Sequence, residues 1–271
     1  MGEDKRHLDV DVAGLSGSLL LLLVGFELFF VLLDIVVNYA EVIEYNSIQR
    51  LCNIAREDGL AAWFMTSQTM VAALVLWSLY WLSRKREDVT AFYRRGWLVL
   101  ALFFTYMSAD DGALIHERVG TMFEDMIDQS GGGAASGSMA QWLDMFPSYE
   151  WQFLLPFFIA MGMFVLYFLY RVLGLGRPLF MVLIAFSCLA IAVILDFIEG
   201  MDAEHPLNVY SWLKQAYMLE DYTVDHFARS LEEFLEMLGI SLFLVVFVAQ
   251  INHVLPTAFT LRFAPAESVE K

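Results

Sequence analysis

The chain has 271 residues, 59% hydrophobic and 15% aromatic, with a formal net charge of -16. This apolar content and a mean hydropathy of +0.58 place it in the membrane class and exclude an ordinary soluble domain. The acidic excess excludes nucleic-acid binding, which needs a basic face. The two cysteines, Cys52 and Cys188, are too few for a disulfide framework or a Cys-rich zinc site.

At ~20 residues per span, the apolar runs predict an all-α fold: a polytopic membrane bundle of six transmembrane helices in a single domain. Residues 1–14 read as a polar tail. The first helix is expected over 15–37, with Glu27 near its middle and Asp34 near its end. That run is too long for a signal-peptide core and lacks a small-x-small cleavage site, so it reads as a retained span. A loop covers 38–59. The second helix, 60–82, carries the polar patch Thr66-Ser67-Gln68. The most basic loop follows over 83–95. The third helix is expected over 96–117, with an amphipathic continuation to 129. A Gly/Ser linker occupies 130–138, and Trp142 and Trp151 bracket an interfacial segment. The fourth helix is expected over 151–173. A tight turn through Pro178 leads to the fifth, 178–199. A short surface helix is expected around 209–219. The last span, 231–254, belongs to a longer helix for which Asp221 or Thr223 is the predicted cap.

Charge sets the expected topology. Eleven of the 16 Lys and Arg residues fall in the tails, the 83–95 loop and the 171–177 turn. The positive-inside rule then puts both termini in the cytoplasm, in a plasma or bacterial-type inner membrane. Of the 32 acidic residues, 23 fall on the opposite side, so the net charge becomes an acidic outer face.

Ser108–Arg118 is the stretch on which a functional reading turns. Asp110, Asp111, His116 and Glu117 sit where a membrane helix should hold Leu and Val, and ionisable groups at that depth usually mark a site. On a straight helix, Asp110 and Glu117 lie within roughly 20° of one face, which leaves His116 aside. Gly112 offers a close approach to a neighbouring helix. Asp196 and Glu199 share one face of the fifth helix, and Glu232, Glu233 and Glu236 fall within about 100° of arc on the last. Convergence requires the third and sixth helices to be neighbours.

Packed carboxylates must bind a cation, hold protons or pair with bases. The bases on that side are Arg50, Arg56, Arg118, Lys214 and Arg229. The leading expectation is a divalent metal (Mn, Fe, Zn or Ca) held by Asp110, Asp111, His116, Glu117, Asp196, Glu199, Glu232, Glu233 and Glu236. Such a metal would serve an enzyme acting on a membrane-associated substrate. The Glu-x-x-His pairs of di-iron bundles are absent, however. So are a zinc-protease motif, a serine nucleophile motif and a phosphate loop. The second reading is proton or cation transport through the same carboxylates, with Glu27 as the mid-membrane acid. The third is a non-catalytic subunit. The expected surroundings are the lipid bilayer and either a membrane-protein partner or a second copy of the chain.

Overall fold

A computed structural model describes residues 12–129, 149–201 and 203–254. The predicted linker 130–138, Trp142, Asp202 and both tails lie outside the described residues. Among those described there is no strand. Helix α1 (Val12–Asp34) runs into a five-residue π-helix, Ile35–Tyr39. The short α2 (Asn46–Cys52) lies within the predicted loop. Next come α3 (Leu60–Arg84), α4 (Ala91–Ala113) and α5 (Ile115–Gln129). They are followed by α6 (Tyr149–Leu173), α7 (Arg177–Glu199), α8 (Val209–Tyr217) and α9 (Asp221–Val254).

Helices α1 with its π-turn, α3, α6, α7 and α9 are long and apolar enough to cross a membrane. α4 and the first part of α5 make a sixth candidate, bent by 73°. The chain is therefore an all-α bundle able to span a membrane five or six times. The straight third helix expected through Glu117 is corrected to a broken one. Leu114 adopts the left-handed conformation (φ 51°, ψ 48°), and its N–H donates to Asp110 O at 2.7 Å. This is the usual way an α-helix is stopped. An apolar periodicity continues across such a break, so the pattern alone does not reveal it.

The centre of the bundle is α9. Every residue from Gly239 to Val248 is buried, as a helix covered on all sides must be. α1, α3 and α7 pack on it, and α3 also pairs along α4. Gly239 lets α7 come close: a Cβ there would meet the Leu189 side chain at 3.0 Å and Ala185 O at 3.3 Å. α4 reaches α9 through aromatic rings, with Phe104 centred 5.7 Å from Phe243 and 5.2 Å from Phe247. The third and sixth spans are thus neighbours through their side chains. The outer faces carry Leu21 and Phe29 on α1 and Phe180 and Ile194 on α7, all exposed. Hydrocarbon suits such a surface and water does not.

α4 begins at Ala91, earlier than expected, because the Thr90 side chain accepts a hydrogen bond from Tyr93 N and caps it. Gly96 then lies inside the helix, and its role is space: a Cβ would fall 1.9 Å from the Phe168 ring. At the same end, Arg86 Nη1 donates to the carbonyls of His253 and Val254, each at 3.2 Å. The basic loop and the end of α9 therefore share one end of the bundle. Gly96→Ala should force Phe168 from its place and lower stability by about 1–3 kcal/mol. Thermal unfolding of the purified variant in detergent reads this as a lower Tm. An unchanged Tm would mean that the contact between α4 and α6 opens at no cost.

Candidate functional site

At the acidic end the break after α4 is built by one side chain. Asp110 Oδ1 accepts from His116 N at 2.8 Å, which caps α5, and Oδ2 lies 2.9 Å from His116 Nδ1. The partner of Asp110 is thus His116, and the expected pairing of Asp110 with Glu117 on one helical face is corrected. The 73° bend separates those two residues' helical faces. Ser108 Oγ donates to Thr66 O at 3.0 Å and ties α4 to α3. Gly112 does face α3, where a Cβ would stand 3.3 Å from the Thr66 methyl. Asp111 Oδ2 lies 3.3 Å from Thr69 Oγ1.

Glu117 meets a residue that sequence reasoning left in a loop. Glu57 lies within hydrogen-bonding and electrostatic reach of it. Glu57 titrates above its ordinary value, first through burial and then through the nearby Glu117 carboxyl. Its neighbour Asp58 behaves oppositely: hydrogen bonds from Arg56 and then Arg50 bring it down to about 2.

The remaining carboxylates gather around α8 and the start of α9. Tyr210 is pushed up to about 12, first by burial and then by the charges of Glu232, Glu199, Asp196 and Asp225. Its hydroxyl donates to Leu195 O at 3.1 Å. Two bases neutralise part of the group. Arg229 Nε donates to Glu199 Oε1 at 2.5 Å, and Lys214 lies 2.8 Å from Asp225. Glu233 lies within electrostatic reach of Glu232, Glu236, Glu57 and Asp111. Glu236 feels Asp111, Asp196 and His116. The candidates on α4, α7 and α9 therefore act on one another's charge. Even so, no group of three or more His, Cys, Asp and Glu among the described residues is arranged to hold a metal ion.

Two further assemblies escaped sequence reasoning. Asp34 Oδ2 lies 2.9 Å from His226 Nε2, and Asp34 Oδ1 accepts from Asn38 Nδ2 at 2.9 Å. Asp34 and His226 are buried, and the Tyr39 and Tyr222 rings pack on the imidazole. Asn38 belongs to the π-turn, a local insertion that often accompanies functional positions. The second assembly lies deeper. Glu27 (α1), Gln68 (α3) and Ser241 (α9) meet in the bundle core, 0%, 4% and 0% exposed. Ser241 Oγ donates to Glu27 Oε1 at 2.5 Å, Gln68 Nε2 donates to Ser241 Oγ, and Gln68 Nε2 lies 3.4 Å from Glu27 Oε1. Among the described residues no ion pair reaches Glu27. Glu27 and Ser241 are lone polar interruptions of apolar runs, and Gln68 belongs to the polar patch of the second span. That was the available signal, but it does not say which interruptions face each other.

The two ends of the site respond differently to change. Asp110→Ala should remove the α5 cap and cost about 1 kcal/mol, whereas Asp110→Asn keeps an acceptor for His116 N and should cost less. Equal chemical-denaturation midpoints for the two variants would deny Asp110 its capping role. Glu57 gives a pH signature. A raised carboxyl holds its proton more tightly when folded, so its contribution is complete below the ordinary value of 4.5 and is lost as pH rises through the folded value. Glu57→Gln should therefore be more stable than the parent above that window and equal to it in acid, as a Tm series against pH would record.

Comparison with curated proteins and with solved structures finds no match. One family does match, over residues 18–251, which reach into every span and include every site residue described above. The chain belongs to the family described as Domain of unknown function (DUF8692).

Proposed function

We propose that this is a cation-handling membrane protein. In this reading the acidic end collects protons or small cations and passes them to Glu27 in the bundle core. The supporting observation is Glu27 itself: fully buried, midway along a span, and bonded to side chains of two other helices with no ion pair. An acid in that position is expensive to keep unless it exchanges a charge.

Adjacent residues of α3 provide the connection. Thr69 reaches Asp111 at the acidic end, and Gln68 reaches Glu27 in the core. From Glu236 to Ser241 along α9 is a further ~7.5 Å. On the basic side of Glu27 the bundle is closed by the rings of Trp97, Phe104, Phe243 and Phe247. In this reading passage across the membrane requires α4 or α9 to shift. The positive-inside rule makes the basic end cytoplasmic in this proposal, with uptake from the opposite face. A divalent-metal or enzymatic role has no such supporting observation.

Reconstitution in liposomes tests the proposal. With an imposed membrane potential, the parent should move protons or Na+ across the bilayer. Glu27→Gln should bring both fluxes to the rate of protein-free liposomes while keeping its Tm in detergent. Undiminished flux in Glu27→Gln would remove the core path.

A further inference from the structure

Three buried side-chain polar atoms lack a hydrogen-bond partner among the described residues: Glu27 Oε2, Gln68 Oε1 and Trp97 Nε1. Two of the three belong to one cluster, because Glu27 and Gln68 both reach Ser241. The Ser241 hydroxyl has a single hydrogen, and it goes to Glu27 Oε1. Gln68 must then present its N–H to Ser241, which leaves its carbonyl oxygen open. Both open atoms are acceptors, so the group that completes the pocket is a cation or a donor. A buried polar atom without a partner is costly, and two in one cluster signal an occupant.

We infer that the pocket formed by Glu27, Gln68 and Ser241 binds a dehydrated sodium ion. The inference rests on the cation-handling reading above and names its ion. All the available ligand atoms are hard oxygens: both carboxylate oxygens of Glu27, Gln68 Oε1 and Ser241 Oγ. Such a set suits alkali and alkaline-earth ions rather than thiophilic metals. Charge then selects among them. One carboxylate and two neutral groups carry a single negative charge, which a monovalent ion cancels. A divalent ion would leave an uncompensated positive charge in the bundle core, at high cost. The three side chains are hydrogen-bonded to one another, so an ion enters only by parting them, and the smaller Na+ displaces them less than K+ does. A proton on Glu27 competes for the same oxygens.

The test uses the purified full chain in detergent at constant ionic strength. Its Tm is measured in NaCl, KCl and N-methylglucamine chloride at two pH values. Sodium alone should raise Tm along a saturating curve, and acidification should move the midpoint to higher sodium. Glu27→Gln should abolish the sodium response. Gln68→Ala and Ser241→Ala should weaken sodium binding about tenfold each, ~1.4 kcal/mol, and they serve if Glu27→Gln does not fold. Asp58→Asn, at an exposed ion pair far from the pocket, should respond as the parent does. Equal Tm in the three salts overturns the inference, as does an equal response to potassium or a sodium response that survives Glu27→Gln. Glu27-dependent proton flux without any sodium effect overturns the sodium site and upholds the cation path. Absence of both overturns both.

Discussion

A carboxyl group in the middle of a membrane-spanning bundle has no water to turn to. Its neighbours must supply every hydrogen bond and every compensating charge. Glu27 sets that requirement here, and the rest of the bundle meets it only in part. α3 and α9 bring Gln68 and Ser241 to one of its oxygens, and the other oxygen stays open. The central position of α9 follows from the same need. It must be buried over several turns to bring Ser241 to Glu27 while its first turns carry Glu232, Glu233 and Glu236 to the acidic end. Gly239 makes this possible by letting α7 pack against α9 two residues before Ser241.

The two ends of the bundle differ in how they manage charge. At the basic end, Arg86 ties the loop after α3 to the last carbonyls of α9, and aromatic rings fill the interior. At the acidic end, bases are fewer than carboxylates. Arg229 and Lys214 satisfy some of them, Glu57 lies beside Glu117, and Asp110 caps a helix and holds His116. An acidic entrance above a buried acid is the physical content of the cation-handling reading.

Much of the architecture was legible in the sequence because span length and loop charge are local properties. The ends of α3, α6 and α7 fall within two residues of expectation, and α8 starts where predicted. Ser108–Arg118 stood out in the sequence, but its geometry did not. Helical phase on a straight rod pairs Asp110 with Glu117. The Asp110 carboxylate instead draws in His116 N, the chain turns at Leu114, and the phase is lost. Glu57, Asp34 and His226 were hidden for a different reason: each reads as an ordinary loop or end residue until its partner, 20 to 192 positions away, is known.

The sequence by itself determined that the chain is an all-α membrane bundle with one basic and one acidic end, because hydropathy and charge add up along the chain without regard to contacts. Only the tertiary structure decided which of its many acids meet. Glu27 and Ser241 are 214 positions apart, and no periodicity within one helix reports how that helix is rotated against another. That rotation is set by the packing of whole helices, with Gly96 under Phe168 and Gly239 against Leu189, and it is what brings scattered polar interruptions together.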